Sequence, residues 1–260
     1  MKIVAVFSLR RHYPHQVQRV CSQPFGTPFK TAAKIVFFCT FATLKKYAAI
    51  MFMNESLFVD FLNNREVLWT GINFAKAKFT KQGFDFPQEI IQHYLHDWNM
   101  LILNDQKKYD IRMSFRKPVM QYDLSLVTKA NKGVKVGQLL TNHIDLKDIL
   151  SEELLADYMK KFVYPHEFRY ALTFVVESFD SATKMASIWV VLSVTASGEI
   201  VLCEKFLKTP GGFGTRNYWA RTFYNLLYDI KTYAFLRWEN MVQGHQPESA
   251  PTSNTSNQQQ

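Results

Sequence analysis

Three runs between residues 168 and 207 carry the strongest β pattern in the chain: "FRYALTFVVESF", "ASIWVVLSVT" and "EIVLCEKFL". Val, Ile and aromatic side chains fit a pleated, buried surface, so strands are predicted over 168–179, 186–195 and 199–207. "DSATK" separates the first pair and "ASG" the second, where Gly198 suits a tight turn; the three form an antiparallel meander. Helical periodicity appears in three other places. Ile90, Ile91, Tyr94, Leu95, Trp98, Leu101 and Ile102 share one face of a helix over 87–103, with Pro87 placed for its first turn. Leu154, Leu155, Tyr158, Met159 and Phe162 give a helix over 151–161, and Trp219, Phe223, Leu226, Leu227, Ile230 and Ala234 give one over 216–238. Two shorter runs, "EVLWTGINF" at 66–74 and "PVMQYDL" at 118–124, read as strands. The order is β-α-β-α-β-β-β-α. Amphipathic helices must cover a sheet. The expected fold is therefore a single α/β (α+β-like) domain, with a mixed sheet of about five strands and helices mainly on one face.

Composition changes this picture at the two ends. The chain has 260 residues, 47% of them hydrophobic, enough to bury a sizeable core. Its net charge of +9 is unevenly placed: residues 1–54 hold eight Lys or Arg and no acid, leaving 23 basic and 22 acidic residues in the remainder. The globular part, expected over 55–241, is thus nearly neutral, and a basic groove for a nucleic-acid backbone is not implied. Nucleic-acid binding through the basic N-terminal segment stands as an alternative. The tail, 242–260, is polar and expected to be disordered.

Within 1–54, the mostly apolar run 35–44 is far too short to span a bilayer, which takes ~20 residues. It has the length of a signal-peptide apolar region but starts late, and no clear cleavage site follows. The segment reads as a degraded export signal, as an organelle-type presequence, or as a translated upstream region with the working start near Met51 or Met53. Cys21, Cys39 and Cys203 form no C-x-x-C pair, so neither a zinc site nor a disulfide framework is expected. Cys203, inside a predicted strand, reads as a small buried hydrophobe.

Two stretches carry candidate chemistry. "KTPGGFGTRNYW" joins the last strand to the last helix. Glycines there permit close backbone approach, and the helix start presents unpaired amides that attract anions. Gly211, Gly212, Gly214, Thr215, Arg216 and Asn217 could therefore hold a carboxylate or phosphate, with Arg216 as the cationic contact. The competing reading is a sharp corner, with Phe213 packed inward, Arg216 paired to an acid and Thr215 or Asn217 capping the helix. The spacing matches neither the dinucleotide fingerprint nor the phosphate loop. "HYLHDW" puts His93, His96 and Asp97 on one side of a helix, a metal reading that needs a further ligand such as His143 or His166; a solvated face explains the same spacing. Asp123, Glu177 and Asp180 are available carboxylates, but nothing in the sequence pairs them. Tyr218 and Tyr224 flank the buried stripe and are expected to be partly exposed. No cofactor is expected.

"LWTGINFAKAKF" and "GGFGTRNYWARTFYNLL" resemble a family of small α/β envelope proteins of Bacteroidetes, over about 67–230. The resemblance implies export from the cytoplasm and implies no activity, catalytic residue or cofactor. The chain departs from that family at its N-terminus, where a clean signal is missing. The strand-hairpin-helix ending also resembles small domains of envelope assembly factors, which bind other proteins. The leading expectation is a non-enzymatic, exported or envelope-associated protein, periplasmic if the segment is a signal and cytoplasmic otherwise, with another protein as partner. The alternative is a small-ligand or enzymatic domain using the glycine loop as an anion site.

Overall fold

The meander forms the middle of the sheet. A computed structural model describes residues 51–144, 149–164 and 167–243. Its elements in chain order are β1 (Met51–Met53), α1 (Glu55–Asn63), β2 (Glu66–Asn73), β3 (Lys78–Thr80), α2, α3 (Ile111–Ser114), β4 (Val119–Tyr122), α4 (Ser125–Lys132), α5 (Val136–Leu139), β5 (Leu140–Thr141), α6 (Glu152–Met159), β6 (Tyr170–Asp180), β7 (Met185–Val194), β8 (Ile200–Lys208) and α7. Helix α2 runs through Pro87–Glu89, Ile90–Tyr94 and Leu95–Asn104, and α7 through Thr215–Asp229, Ile230–Ala234 and Phe235–Gln243; the middle segment of each is a π turn.

The strands form a mixed eight-stranded sheet in the order β1-β8-β7-β6-β2-β4, with β3 paired to β6 and β5 paired to β3. Strands β6, β7 and β8 are antiparallel, as their spacing predicts, while β2 runs parallel to both β4 and β6. Strand β3 continues along the same edge of β6 that β2 leaves. The expected count of about five is approximate because three short strands, β1, β3 and β5, complete the sheet. The expected domain start at 55 moves back to 51. Met51 and Met53 are buried, β1 pairs with β8, and the Asn54 side chain accepts from the Leu57 amide to cap α1. A cut before Asn54 therefore removes an edge strand of the sheet. The longer N-terminal stretch and the tail from Gly244 lie outside the described residues.

Alternation along the strands divides the core. Trp69, Leu172, Phe174, Val176, Ile188 and Val190 face α1, α2 and α7 in the larger cluster. Leu68, Ala171, Val175, Trp189, Val191 and Cys203 face α4 and α6 in a smaller one. The two long helices share one face, as expected; the other face is covered by short helices. Cys203 is buried, and burial pushes its thiol up to about 12.

Two asparagines finish β2 where β4 stops. The Asn99 side chain accepts from the Ile72 amide at 2.6 Å and donates to the Ile72 carbonyl at 3.0 Å. Asn131 accepts from the Phe74 amide at 2.7 Å and donates to the same Ile72 carbonyl at 2.9 Å. Buried backbone groups need partners, and here helices α2 and α4 supply them in place of a strand. Gly71 makes room. Its φ is 110°, and a Cβ there would meet Asn99 Oδ1 at 2.7 Å.

Candidate functional site

The glycine loop closes on itself. Strand β8 ends at Lys208 and α7 begins at Thr215. Gly212 and Gly214 sit at φ 108° and 76°, a region that L side chains rarely adopt. The Gly211 amide donates to the Tyr218 carbonyl at 3.0 Å, and the Tyr218 amide donates to the Gly214 carbonyl at 2.8 Å. Asn225 Nδ2 donates to the Thr209 carbonyl at 2.9 Å, so the loop is tied back to the third turn of α7. The helix cap is Gly214, without a side-chain bond, rather than Thr215 or Asn217.

Arg216 joins the two sequence candidates into one feature. Its Nε donates to Asp97 Oδ2 at 3.0 Å, and its carbonyl accepts from Trp98 Nε1 at 2.8 Å. Asp97 thus faces a guanidinium, while His93 and His96 are exposed on α2. Among the described residues no three His, Cys, Asp or Glu side chains converge as a metal-ligand set; His166, a further ligand considered for His93, His96 and Asp97, lies outside those residues. The three carboxylates considered in sequence have separate structural roles. Asp123 accepts from the Ser125 amide, Asp180 accepts from Thr183 Oγ1 in the β6–β7 turn, and Glu177 accepts from Ser187 Oγ and pairs with Lys205.

Both members of the Arg216–Asp97 pair are 37% exposed at the side chain, so solvent screens them strongly. Arg216→Ala is expected to cost no more than about 1 kcal/mol. Thermal unfolding with and without phosphate checks this: any phosphate-dependent shift is expected to be the same in both proteins. A shift present in the wild type and lost in the variant would establish the anion site instead.

Phe213 does not pack inward. It is 95% exposed at the tip of the loop, between the two left-handed glycines. Phe86, just before α2, is 73% exposed. The segments that carry them meet through Phe84, whose ring stacks on Trp219 with centroids 5.4 Å apart and planes 18° apart. Trp219 in turn lies on Phe179 at 4.5 Å. Tyr218 and Tyr224 are half-buried beside them, as their flanking positions predict. Phe86 and Phe213 are thus exposed rings on two segments that meet at the Phe84–Trp219–Phe179 stack. Phe86 and Phe213 each sit within a Gly- or Pro-punctuated loop, and that setting was the available signal: a large apolar residue outside any periodic stripe.

Among the described residues no helix is long and apolar enough to cross a membrane. No protein-family model and no curated protein matches the chain. Two solved structures of the PelC dodecamer from Paraburkholderia phytofirmans are weakly similar. One, a point variant, is 10% identical over 64% of this chain and 87% of that chain, with a TM-score of 0.28. The other is 12% identical over 63% and 86%, with a TM-score of 0.27. The likeness is too distant to bear on the activity, ligand or assembly of this chain.

Proposed function

We propose that the protein is a binding module that engages another protein through Phe86 and Phe213. The observation that carries this reading is the near-complete exposure of Phe213 on a loop held by the backbone bonds of Gly211, Gly214 and Tyr218. An isolated exposed apolar residue is ordinary. A ring at the tip of a tied loop, with a second exposed ring on the neighbouring segment, is what a pre-organised anchor for a partner's pocket requires. Burying each ring would stabilise a complex by about 1.5–3 kcal/mol. An exported or envelope location belongs to the same proposal and rests on the sequence resemblance; the intact mass of the mature natural protein tests it.

The contact itself is tested with Phe86→Ser/Phe213→Ser. Exposed positions of this kind change stability by about 0.5 kcal/mol or less each. The expected result is an unchanged unfolding midpoint, with at least a tenfold loss of the proteins that cross-link to the wild type in its native cells. Equal recovery of the same proteins with the double variant would reject the proposal.

A further inference from the structure

A half-open cleft of about 1010 Å³ lies between the chain after β2 and helices α4, α5 and α6. Its apolar walls include Ala77, Val134, Leu139, Ile144 and Phe162, all buried. Four lysines also line it: Lys76, Lys78, Lys129 and Lys161. They come from the β2–β3 link, from β3, from α4 and from the segment after α6. No carboxylate is found among the described lining residues, and none of the four lysines is ion-paired to a described acid. Among the described residues this is a local excess of one sign facing a concave surface; Asp145 and Asp148 lie outside them.

The topology puts the cleft where such folds take ligands. The β2-to-β4 connection crosses the face carrying α2, and the β4-to-β6 connection crosses the face carrying α4 and α6. β4 and β6 flank β2 on opposite sides, so the crossovers diverge at its carboxyl end. Ligands of open α/β sheets sit beyond the carboxyl ends of the strands at such a point. The polar groups there are held in place. Asn73, fully buried at the end of β2, accepts from the Ala75 amide at 2.9 Å and from the lining Tyr158 hydroxyl at 3.0 Å. Its Nδ2 has no hydrogen-bond partner. Lys78 Nζ donates to the Gln138 carbonyl, and Lys76 Nζ lies 5.6 Å from the Tyr158 ring centroid. Lys129 and Lys161 are exposed and unengaged by any such bond.

We infer that this cleft binds an organic phosphate with an apolar body: the lysines take the charged head and the buried aliphatic and aromatic wall takes the remainder. A phosphate monoester carries about −1.5 to −2 charges near neutral pH, which matches several ammonium groups better than one carboxylate does. Ammonium groups on long stems bind phosphate as movable point charges. The volume is at the upper end of the range for small-molecule sites, about 300–1,000 Å³, which leaves room for far more than the head alone.

Dihexanoyl phosphatidic acid, used below its micellar concentration, supplies both parts. Dihexanoyl phosphatidylcholine keeps the apolar body without net charge, and inorganic phosphate keeps the charge without the body. With the full chain, phosphatidic acid at ~100 times its Kd is expected to raise Tm by roughly 5 °C or more. The other two probes are expected to shift it by less than half as much. Lys129→Glu/Lys161→Glu, at exposed positions, is expected to keep the wild-type circular dichroism spectrum and to lose the shift, while Arg216→Ala retains it. Lack of a phosphatidic acid shift, an equal shift with either control, or a shift that survives in the double lysine variant would overturn the inference. If that variant fails to fold, Lys129→Gln/Lys161→Gln is expected to weaken binding at least tenfold by titration calorimetry, and unchanged affinity would overturn it equally.

Discussion

Trp219→Ala will cost about 3–5 kcal/mol, the range for emptying a large aromatic core site. Trp219 is 1% exposed and is stacked between Phe179, at 4.5 Å and 8°, and Phe84, at 5.4 Å and 18°. Phe179 also stacks on Phe79 at 4.6 Å. The indole therefore links β6 and the chain before α2 to the start of the second turn of α7. Truncation leaves a cavity whose walls belong to three elements, none free to collapse alone. Offset aromatic pairs add about 0.5–1.5 kcal/mol beyond the area they bury. Chemical denaturation with unchanged slope measures the loss. A change below about 1 kcal/mol would mean that the ring is not packed in solution.

Lys205→Met will be comparably damaging, at about 3–5 kcal/mol, for an electrostatic reason. Glu177 is fully buried; its carboxylate accepts from Ser187 Oγ at 2.5 Å and pairs with Lys205 Nζ at 2.9 Å. Lys205 is itself largely covered and lies over the Trp189 ring at 4.9 Å. Removing the ammonium strands a carboxylate away from water, which costs more than the pair contributes. Glu177→Gln combined with Lys205→Met is therefore expected to recover more than half of the loss. Denaturation of the wild type, both single variants and the double variant closes the cycle. A double variant as unstable as the sum of the singles would show that the two groups act independently.

The fold was legible where periodicity was long. Strands β6, β7 and β8 and helices α2 and α7 each display enough residues for the period to separate from chance. β1 and β3 each span three residues and β5 two, so alternation has no length over which to show. Helix α4, "SLVTKANK", buries only Val127 and Asn131 and so lacks an apolar stripe. The glycine corner was half legible. Glycine permits the positive φ found at Gly212 and Gly214, whereas the Arg216–Asp97 pair joins positions that only the tertiary packing of α2 on α7 brings together. The lysine cleft was not legible, because its four cations lie on separate segments and each alone reads as a solvated surface residue. Asn99 did leave a trace. It lies on the buried side of α2 between Leu95 and Ile102, a polar residue where the stripe calls for an apolar one.

That asparagine and its counterpart on α4 also bear on how the molecule avoids its own kind. A strand that outlasts its neighbour offers open amides and carbonyls to any extended peptide, including the same segment of another molecule. Here the outer side of Ile72 and Phe74 is already occupied by side-chain amides that mimic a strand and cannot be prolonged into one. Replacing Asn99 and Asn131 with residues of similar size but no amide would leave the buried amides of Ile72 and Phe74 and the Ile72 carbonyl without these partners. The pair therefore closes the end of β2 by taking the backbone bonds that a further strand would otherwise take.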